Sequence, residues 1–412
     1  MNARPERTSD DRLAIESGSP LRSAPFAPWP HYARDEIDAV SRVLVSGKVN
    51  YWTGDEGRAF EQEYAEHTAC KYAVALANGT VALELALHAF DISPGDEVVV
   101  PSRTFIATAS CAVMRGATPV VADVDPVSQN ITAESIREAL SPRTKAIIAV
   151  HLAGWPCDMD PIMTLARERG LRVIEDCAQA HGASYKGRPV GSMGDAGAFS
   201  FCQDKIITTG GEGGMLVTDD AVLWAKAWSY KDHGKSYDAI YNRPAPAPGL
   251  FNWTHESFGT NWRMTEMQAA IGRVQLRKLS LWREARQRNA AILSAAFLRI
   301  PSLRVTIPPA ETGHAYYKYY VFLRPEKLRV GWTRDRIVEA ISAEGVPCAV
   351  GSCSEIYLEK AFPESMRPAK PLMASRALGE ASLSFMVHPT LTEADMQDTA
   401  RAVAKVMRVA AR

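Results

Sequence analysis

Cysteine is sparse and unpaired in pattern: the seven in the 412-residue chain form no CxxC pair and adjoin no His cluster, which excludes a disulfide framework and a zinc ligand set. Their odd, scattered positions fit reduced thiols. Charge of neither sign prevails, with 47 Lys+Arg against 47 Asp+Glu, so the basic excess that a nucleic-acid or anionic-membrane surface requires is missing. No uncharged apolar run is long enough to cross a bilayer, and the opening MNARPERTSDDRLAIESGSP has no apolar leader segment. A cytoplasmic protein with no membrane or nucleic-acid partner is expected. GxGxxG is absent, which excludes the common dinucleotide fingerprint, and no internal repeat is present. Sequons at Asn78, Asn130 and Asn252 carry no weight without a secretory signal. What is present, 46% hydrophobic and 23% charged residues, is the composition of an ordinary folded chain, and small-molecule chemistry is the function class left.

Residues 1–24 mix Arg, Asp, Glu, Ser, Gly and Pro without a hydrophobic period and predict a flexible tail. ARDEIDAVSRVLVSG places apolar residues at helical spacing up to Gly47, a helix stop, and GRAFEQEYAEHTA is a second helix. From residue 72 short β-rich runs (YAVAL, DEVVVP, PVVADV, KAIIAVHL, LRVIEDC) alternate with helical ones (TVALELALHAF, FIATASCAVMRG, TAESIREALS, DPIMTLARERG). Runs of Val, Ile and Ala joined by amphipathic helices define βαβ units, hence an α/β fold with a mostly parallel sheet flanked by helices. GAFSF and GGMLVTDD add two strands around a Gly-rich turn. The aromatic, Pro-rich stretch SYKDHGKSYDAIYNRPAPAPGLFNW is too long for an ordinary connection and predicts a functional or interface loop. TEMQAAIGRVQLRKLSLWREARQRNAAILSAAF then reads as one long helix or a kinked pair leading to a smaller C-terminal α+β domain. In that domain AYYKYYVFL is a predicted strand, and TRDRIVEAISAEG and TEADMQDTARAVAKVMRVA are predicted helices. The expected boundaries are 25–285 for the large domain and 286–412 for the small one.

Three segments could carry chemistry. Asn78-Gly79-Thr80 lies between a strand and a helix, where unpaired N–H groups and the helix dipole make a phosphate cradle, although a plain N-cap explains the same residues. Asp176, in VIEDCAQAHGA, falls at the carboxyl end of a strand, where α/β sheets collect ligands; a structural salt bridge is the other reading. Lys205, in SFCQDKIITTGGEGG, follows a buried strand and precedes a glycine-rich turn, a position in which an amine can form an imine, though a surface charge would look alike. Taken together, a phosphate cradle, a carboxylate able to pair with a pyridinium and an imine-forming lysine are the fixtures pyridoxal 5′-phosphate requires.

At these residues the chain resembles the DegT/StrS-type sugar aminotransferases, a branch of the fold-type I pyridoxal-phosphate enzymes. The matching stretches are Thr53-Gly54, NGTVALELAL, PGDEVVVPSRTFIATA, IEDCAQAHGA, SFCQDKIITTGGEGGM and GTNWRMTEMQAAIGRVQL, in the family's order, over about 25 to 290. The resemblance implies a fold-type I architecture and transfer of an amino group from an amino acid, L-glutamate, to a keto group of a nucleotide-linked deoxysugar. It implies that Lys205 holds the cofactor as a Schiff base and moves the substrate proton, and that Asp176 pairs with the ring nitrogen. Gln179 would bond the ring's phenolic oxygen, Phe105 would stack on its face, and Gly79, Thr80 and Ser200 would bind the phosphate. Asn261 matches a residue that the family supplies across a dimer, which implies a homodimer with shared active sites. His181, Arg263, His314, Tyr316 and Tyr317 fall where substrate or bracing residues lie. Cys348 and Cys353 read as unpaired thiols, and no metal is expected.

One departure limits the carry-over: many relatives have a YPxPLH-like segment where this chain has GVPCAVGSCSEIYLEKAF (346–362 with its flank), which leaves the sugar side open. Three alternatives accompany the leading function. A sugar dehydratase of the same family typically has His in place of the lysine, so Lys205 argues against it. A non-catalytic regulator usually adds a DNA-binding domain, and no helix-turn-helix pattern is visible. Another fold-type I reaction on amino acids would dispense with the sugar.

Overall fold

The computed structural model describes residues 12–243 and 253–412. Helices α1 (Arg34–Ser46) and α2 (Glu56–Thr68) precede the sheet, and α1 ends as its sequence requires, at Gly47 in the left-handed conformation with φ 68°. The alternating units follow: β1 (Tyr72–Leu76), α3 (Gly79–Ala89), β2 (Glu97–Pro101), α4 (Ala107–Met114), β3 (Thr118–Ala122), α5 (Ala133–Ala139), β4 (Thr144–Val150), α6 (Met159–Arg169) and β5 (Arg172–Asp176). A small hairpin, β6 (Ser184–Tyr185) and β7 (Arg188–Pro189), leads to β8 (Ala196–Ser200) and β9 (Gly214–Thr218). Seven of these strands make one sheet in the order β1-β9-β8-β5-β4-β2-β3. Pairings among β3, β2, β4, β5 and β8 are parallel, and only β9 runs against its neighbours β1 and β8.

The near-continuous apolar strands have a direct cause. Val99, Ile147 and Val173 point into one core with Phe60, Tyr64 and Leu165, while Val98, Val100, Ile148 and Ile174 point into the opposite one with Leu85 and Trp228. With both faces dry, the inner positions of a central strand are apolar, and buried polar side chains enter at strand ends, as Glu175 and Asp176 do on β5.

After α7 (Ala221–Lys231) and the short α8 (Tyr237–Tyr241), residues 244–252 of the expected interface loop lie outside the described residues. Helix α9 (Glu266–Phe297) is a single 32-residue helix capped by Thr265. It runs unbroken through 285 and 286: Ala269 and Leu279 join the core of the large sheet, whereas Ala290, Leu293 and Phe297 join a third, C-terminal core. That core packs a small sheet of β10 (Leu303–Arg304), β12 (Tyr319–Leu323) and β13 (Ser382–Phe385) against α10 (Arg334–Ala343), α11 (Met373–Ala381) and α12 (Glu393–Ala410), and β11 (Thr312–Gly313) pairs with β6 instead.

Two expectations need correction. Residues 12–24 are docked and not a flexible tail: Leu13 is fully buried in the C-terminal core, and the carboxylate of Glu344 accepts from the backbone N–H of Ala14 and Leu21. The strand predicted to begin at Ala315 starts only at Tyr319, because Tyr316 adopts φ 48° and the chain turns there.

Candidate active site

A cavity of about 750 Å³ opens at the carboxyl ends of β4, β5 and β8, where Val150, Asp176 and Ser200 end their strands, and the first turn of α3 faces it. Asn78 caps α3 by accepting from Val81 N, which leaves the N–H groups of Gly79 and Thr80 without an intrahelical partner at the cavity wall. Gly79 is required by close approach: a Cβ there would lie 2.6 Å from Cβ of Ser200. The N-terminus of α3 and the Ser200 hydroxyl thus share one corner, a donor-rich cradle for an anion.

Asp176 enters from the end of β5 and is 6% exposed; its Oδ2 accepts from Thr108 Oγ1 at 3.0 Å and its Oδ1 from Ala178 N at 3.1 Å. Burial pushes its carboxyl above the usual range, and no cation of the described residues sits within ion-pair distance. The side chain calls for a positive group in the cavity. Gln179 accepts through Oε1 from Ala153 N at 2.8 Å, so its amide N–H groups are left to donate. Phe105, 67% exposed, forms an open aromatic wall. Lys205 reaches in from the turn after β8; its Nζ is 3.3 Å from Oδ1 of Asp204 and 5.1 Å from the centroid of the Tyr317 ring. An anion cradle, a buried unpaired carboxylate and a lysine amine therefore line one space, a donor set that fits pyridoxal phosphate.

Other sequence candidates fall outside the wall. His181 is fully buried behind it, 2.8 Å from both the Tyr64 hydroxyl and the Ser200 carbonyl, and burial holds its imidazole down at about 3. It braces β8 and does not face substrate. His314 accepts from Tyr316 N through Nδ1 and stacks on the Tyr316 ring at 3.9 Å, with burial again holding it near about 3. The turn at Tyr316 swings Tyr317 and Lys318 into the cavity and keeps His314 and Tyr316 out of it. Arg263 is engaged by Asp232, and Asn261 pairs with Asp232 through its backbone and is exposed on the surface; neither lines the cavity of its own chain.

Several wall residues escaped the sequence reading, Lys318 among them. Thr108 lies in an apolar helix and Glu212 in the glycine-rich turn, where nothing local marks them; for Asp204 its place beside Lys205 was a usable signal. The divergent C-terminal segment contributes Gly351, Ser352 and Cys353 to the wall. His151, Glu175 and Cys177 cluster closely enough to hold a metal. Glu175 is already engaged there by His151 and by the N–H groups of Gly191, Met193 and Gly194, which together hold its carboxyl below the usual range against the effect of burial.

Sheet order, cavity position and side chains define a fold-type I aminotransferase, and comparison with known proteins agrees. The aminotransferase from Psychrobacter cryohalolentis has a similar structure, with 55% identity, a TM-score of 0.91, and coverage of 93% of this chain and 99% of that one. GDP-perosamine synthase of Caulobacter vibrioides is 39% identical over 86% of this chain and 92% of its own length. UDP-N-acetyl-3-dehydro-alpha-D-glucosamine 3-aminotransferase of Acidithiobacillus ferrooxidans is 37% identical over 93% and 96%. Residues 30–404 match the sequence model of the DegT/DnrJ/EryC1/StrS aminotransferase family, and the chain belongs to that family. It is a pyridoxal-phosphate-dependent aminotransferase.

Proposed function

We propose that the enzyme moves an amino group from L-glutamate to the keto carbon of a nucleotide-linked deoxysugar, for polysaccharide or glycoconjugate synthesis. The observation that carries the site assignment is the convergence of the α3 N-terminus, Asp176 and Lys205 on one cavity. Bound pyridoxal phosphate supplies the electron sink and carries the amine between donor and acceptor. Lys205 anchors it through Nζ, and the same nitrogen accepts and returns the substrate proton. Gly79, Thr80 and Ser200 hold its phosphate by N–H and hydroxyl donors, Asp176 keeps its ring nitrogen protonated, Gln179 donates to its phenolic oxygen, and Phe105 covers one face of the ring. Tyr317 and Lys318 take the acceptor side, and Lys318 gives an anionic diphosphate a cation to meet. The surface position of Asn261, close to Phe258 with its 99% exposure, supports a homodimer in which Asn261 completes the partner's phosphate site. Division into a large domain to 285 and a small one from 286, and a cytoplasmic location, belong to the same reading; among the described residues no helix is long and apolar enough to cross a membrane.

The test is the visible spectrum of protein incubated with pyridoxal phosphate, before and after L-glutamate, with Lys205→Ala alongside. Bleaching of the wild-type band with release of 2-oxoglutarate, and no band in Lys205→Ala, is the expected result. A wild type that forms no band refutes the assignments of Lys205, Asp176 and Gly79 together. A band that glutamate leaves unchanged refutes glutamate as donor, and L-glutamine, named for relatives from Streptoalloteichus tenebrarius and Streptomyces kanamyceticus, is the next donor to try.

A further inference from the structure

The side chain next to the anchoring lysine is itself held in an unusual way. Asp204 divides its two oxygens: Oδ1 lies 3.3 Å from Lys205 Nζ, and Oδ2 accepts from the Tyr317 hydroxyl. Nζ also sits over the Tyr317 ring, so the amine lies between a carboxylate and an aromatic face. Tyr317 is fixed in turn. Its N–H donates to Ala153 O at 2.9 Å, and its carbonyl and that of Tyr316 each accept from Arg286 Nη1 at 3.2 Å. Arg286 is fully buried under the ring of Trp29, whose Nε1 donates to the Lys205 carbonyl at 2.9 Å. One cluster therefore grips both the main chain of Lys205 and the carboxylate facing its amine.

We infer that Asp204 is the counter-ion of Lys205, a positioning residue that faces Nζ with its carboxylate and, through Tyr317, fixes where that nitrogen points. The inference rests on Lys205 as the cofactor-anchoring lysine. When Nζ takes up the substrate proton, the ammonium forms beside a carboxylate that is already oriented. Burial works against the charge on Asp204, but the Lys205 cation and the Tyr317 hydroxyl outweigh it and hold that carboxyl below its usual range. Burial and the Asp204 charge both push the Tyr317 phenol up, so Tyr317 remains the donor in the pair. The other ionisable groups around Lys205 are Asp176 on β5, Glu212 on the glycine turn, Lys318 beside Tyr317, the thiols of Cys202 and Cys353, and His181 behind the wall. Among the described residues, Asp204 is the one carboxylate within ion-pair distance of Nζ.

The experiment follows acylation of Lys205 in cofactor-free, full-length protein as a function of pH, read by peptide mass spectrometry, and in parallel the pH titration of the visible band of the loaded protein. Asp204 has a half-exposed side chain, so Asp204→Asn keeps shape and removes charge. At a fixed pH near neutrality it should make labelling about two- to fivefold faster. Asp204→Glu should recover at least half of the change in rate, and Tyr317→Phe, which leaves the charge in place, should change the rate by less than half as much. A wild-type labelling rate in Asp204→Asn overturns the inference, as do equal changes in Asp204→Asn and Tyr317→Phe. If the protein takes up no cofactor but Asp204→Asn still speeds labelling, the cofactor reading is refuted and the ion pair is kept.

Discussion

Acidification from pH 7.5 to 5.5 should destabilise this protein well before its carboxylates titrate, because several histidines, His181, His314, His388 and His88 among them, are folded in the neutral form. The hydrogen-bond geometry requires it for His314, whose Nδ1 accepts from a backbone N–H, and suits it for His181, which sits between the Tyr64 hydroxyl and the Ser200 carbonyl with one proton on Nε2. Burial holds His181 and His314 down at about 3, and burial with the nearby Arg286 cation holds His388 at about 4. In the unfolded chain each would take up a proton near pH 6.5. Below that pH the unfolded state binds protons that the native state refuses. Their stabilising contribution is therefore complete above about 6.5 and is lost as pH falls toward the native values. At pH 5.5 each histidine costs about 1.4 kcal/mol, or about 4 kcal/mol for His181, His314 and His388 together. Asp176, Glu84 and Glu266, whose carboxyls burial pushes up, work in the opposite sense. The assay is the urea midpoint by tryptophan fluorescence at the two pH values. His181→Gln, whose amide can accept from Tyr64 and donate to Ser200 O, should shrink the drop by about 1.4 kcal/mol. A midpoint unchanged or higher at pH 5.5 would refute the reasoning.

Gly79→Ala forces a methyl against Ser200 and should cost about 1–3 kcal/mol and weaken cofactor retention, measured by thermal unfolding and by release of the chromophore on dialysis; wild-type values in both would contradict the close approach. Asp176→Asn removes a buried charge, so thermal stability should hold or rise while the rate of glutamate-driven bleaching falls about 100-fold or more; a rate within about tenfold of wild type would exclude Asp176 as the ring-nitrogen partner. Leu13→Ala should lose about 2–4 kcal/mol by the denaturant midpoint, and a change under about 0.5 kcal/mol would mean that the N-terminal segment is not docked.

Much of the sheet was legible in the sequence because its information is local. A strand buried on both faces must be an apolar run, as 98–100 and 146–150 are, and Gly47 ends a helix by its own conformational freedom. The insertion of β9 between β1 and β8 was not legible, since a pairing across more than a hundred residues leaves no mark on either strand. Within the site, Gly79, Asp176 and Lys205 could be read because each sits at a fixed offset from a strand end. His181 and His314 were misplaced for a different reason: a polar residue near a site in sequence can point either way, and only burial and partners decide. The alternation in AYYKYYVFL predicted a strand, and nothing in it revealed that Tyr316 would take φ 48° and deliver its neighbours to the cavity. Leu13 lies in a short apolar trio, Leu13-Ala14-Ile15, inside a polar stretch with no period, and its dock, the Glu344 region, lies more than three hundred residues away.

Helix α9 also sets how the molecule can move. Lobes joined by a flexible strap can swing apart, but here a rigid rod has one end planted in each body, and separating them means breaking its hydrogen-bond ladder or stripping one end from its core. Breathing of the whole molecule is thus expensive, and traffic through the cavity falls to the short loops at its rim, around Phe105 and 351–353. Heat should accordingly melt the two bodies in one step, with no plateau in which one has let go while the other persists.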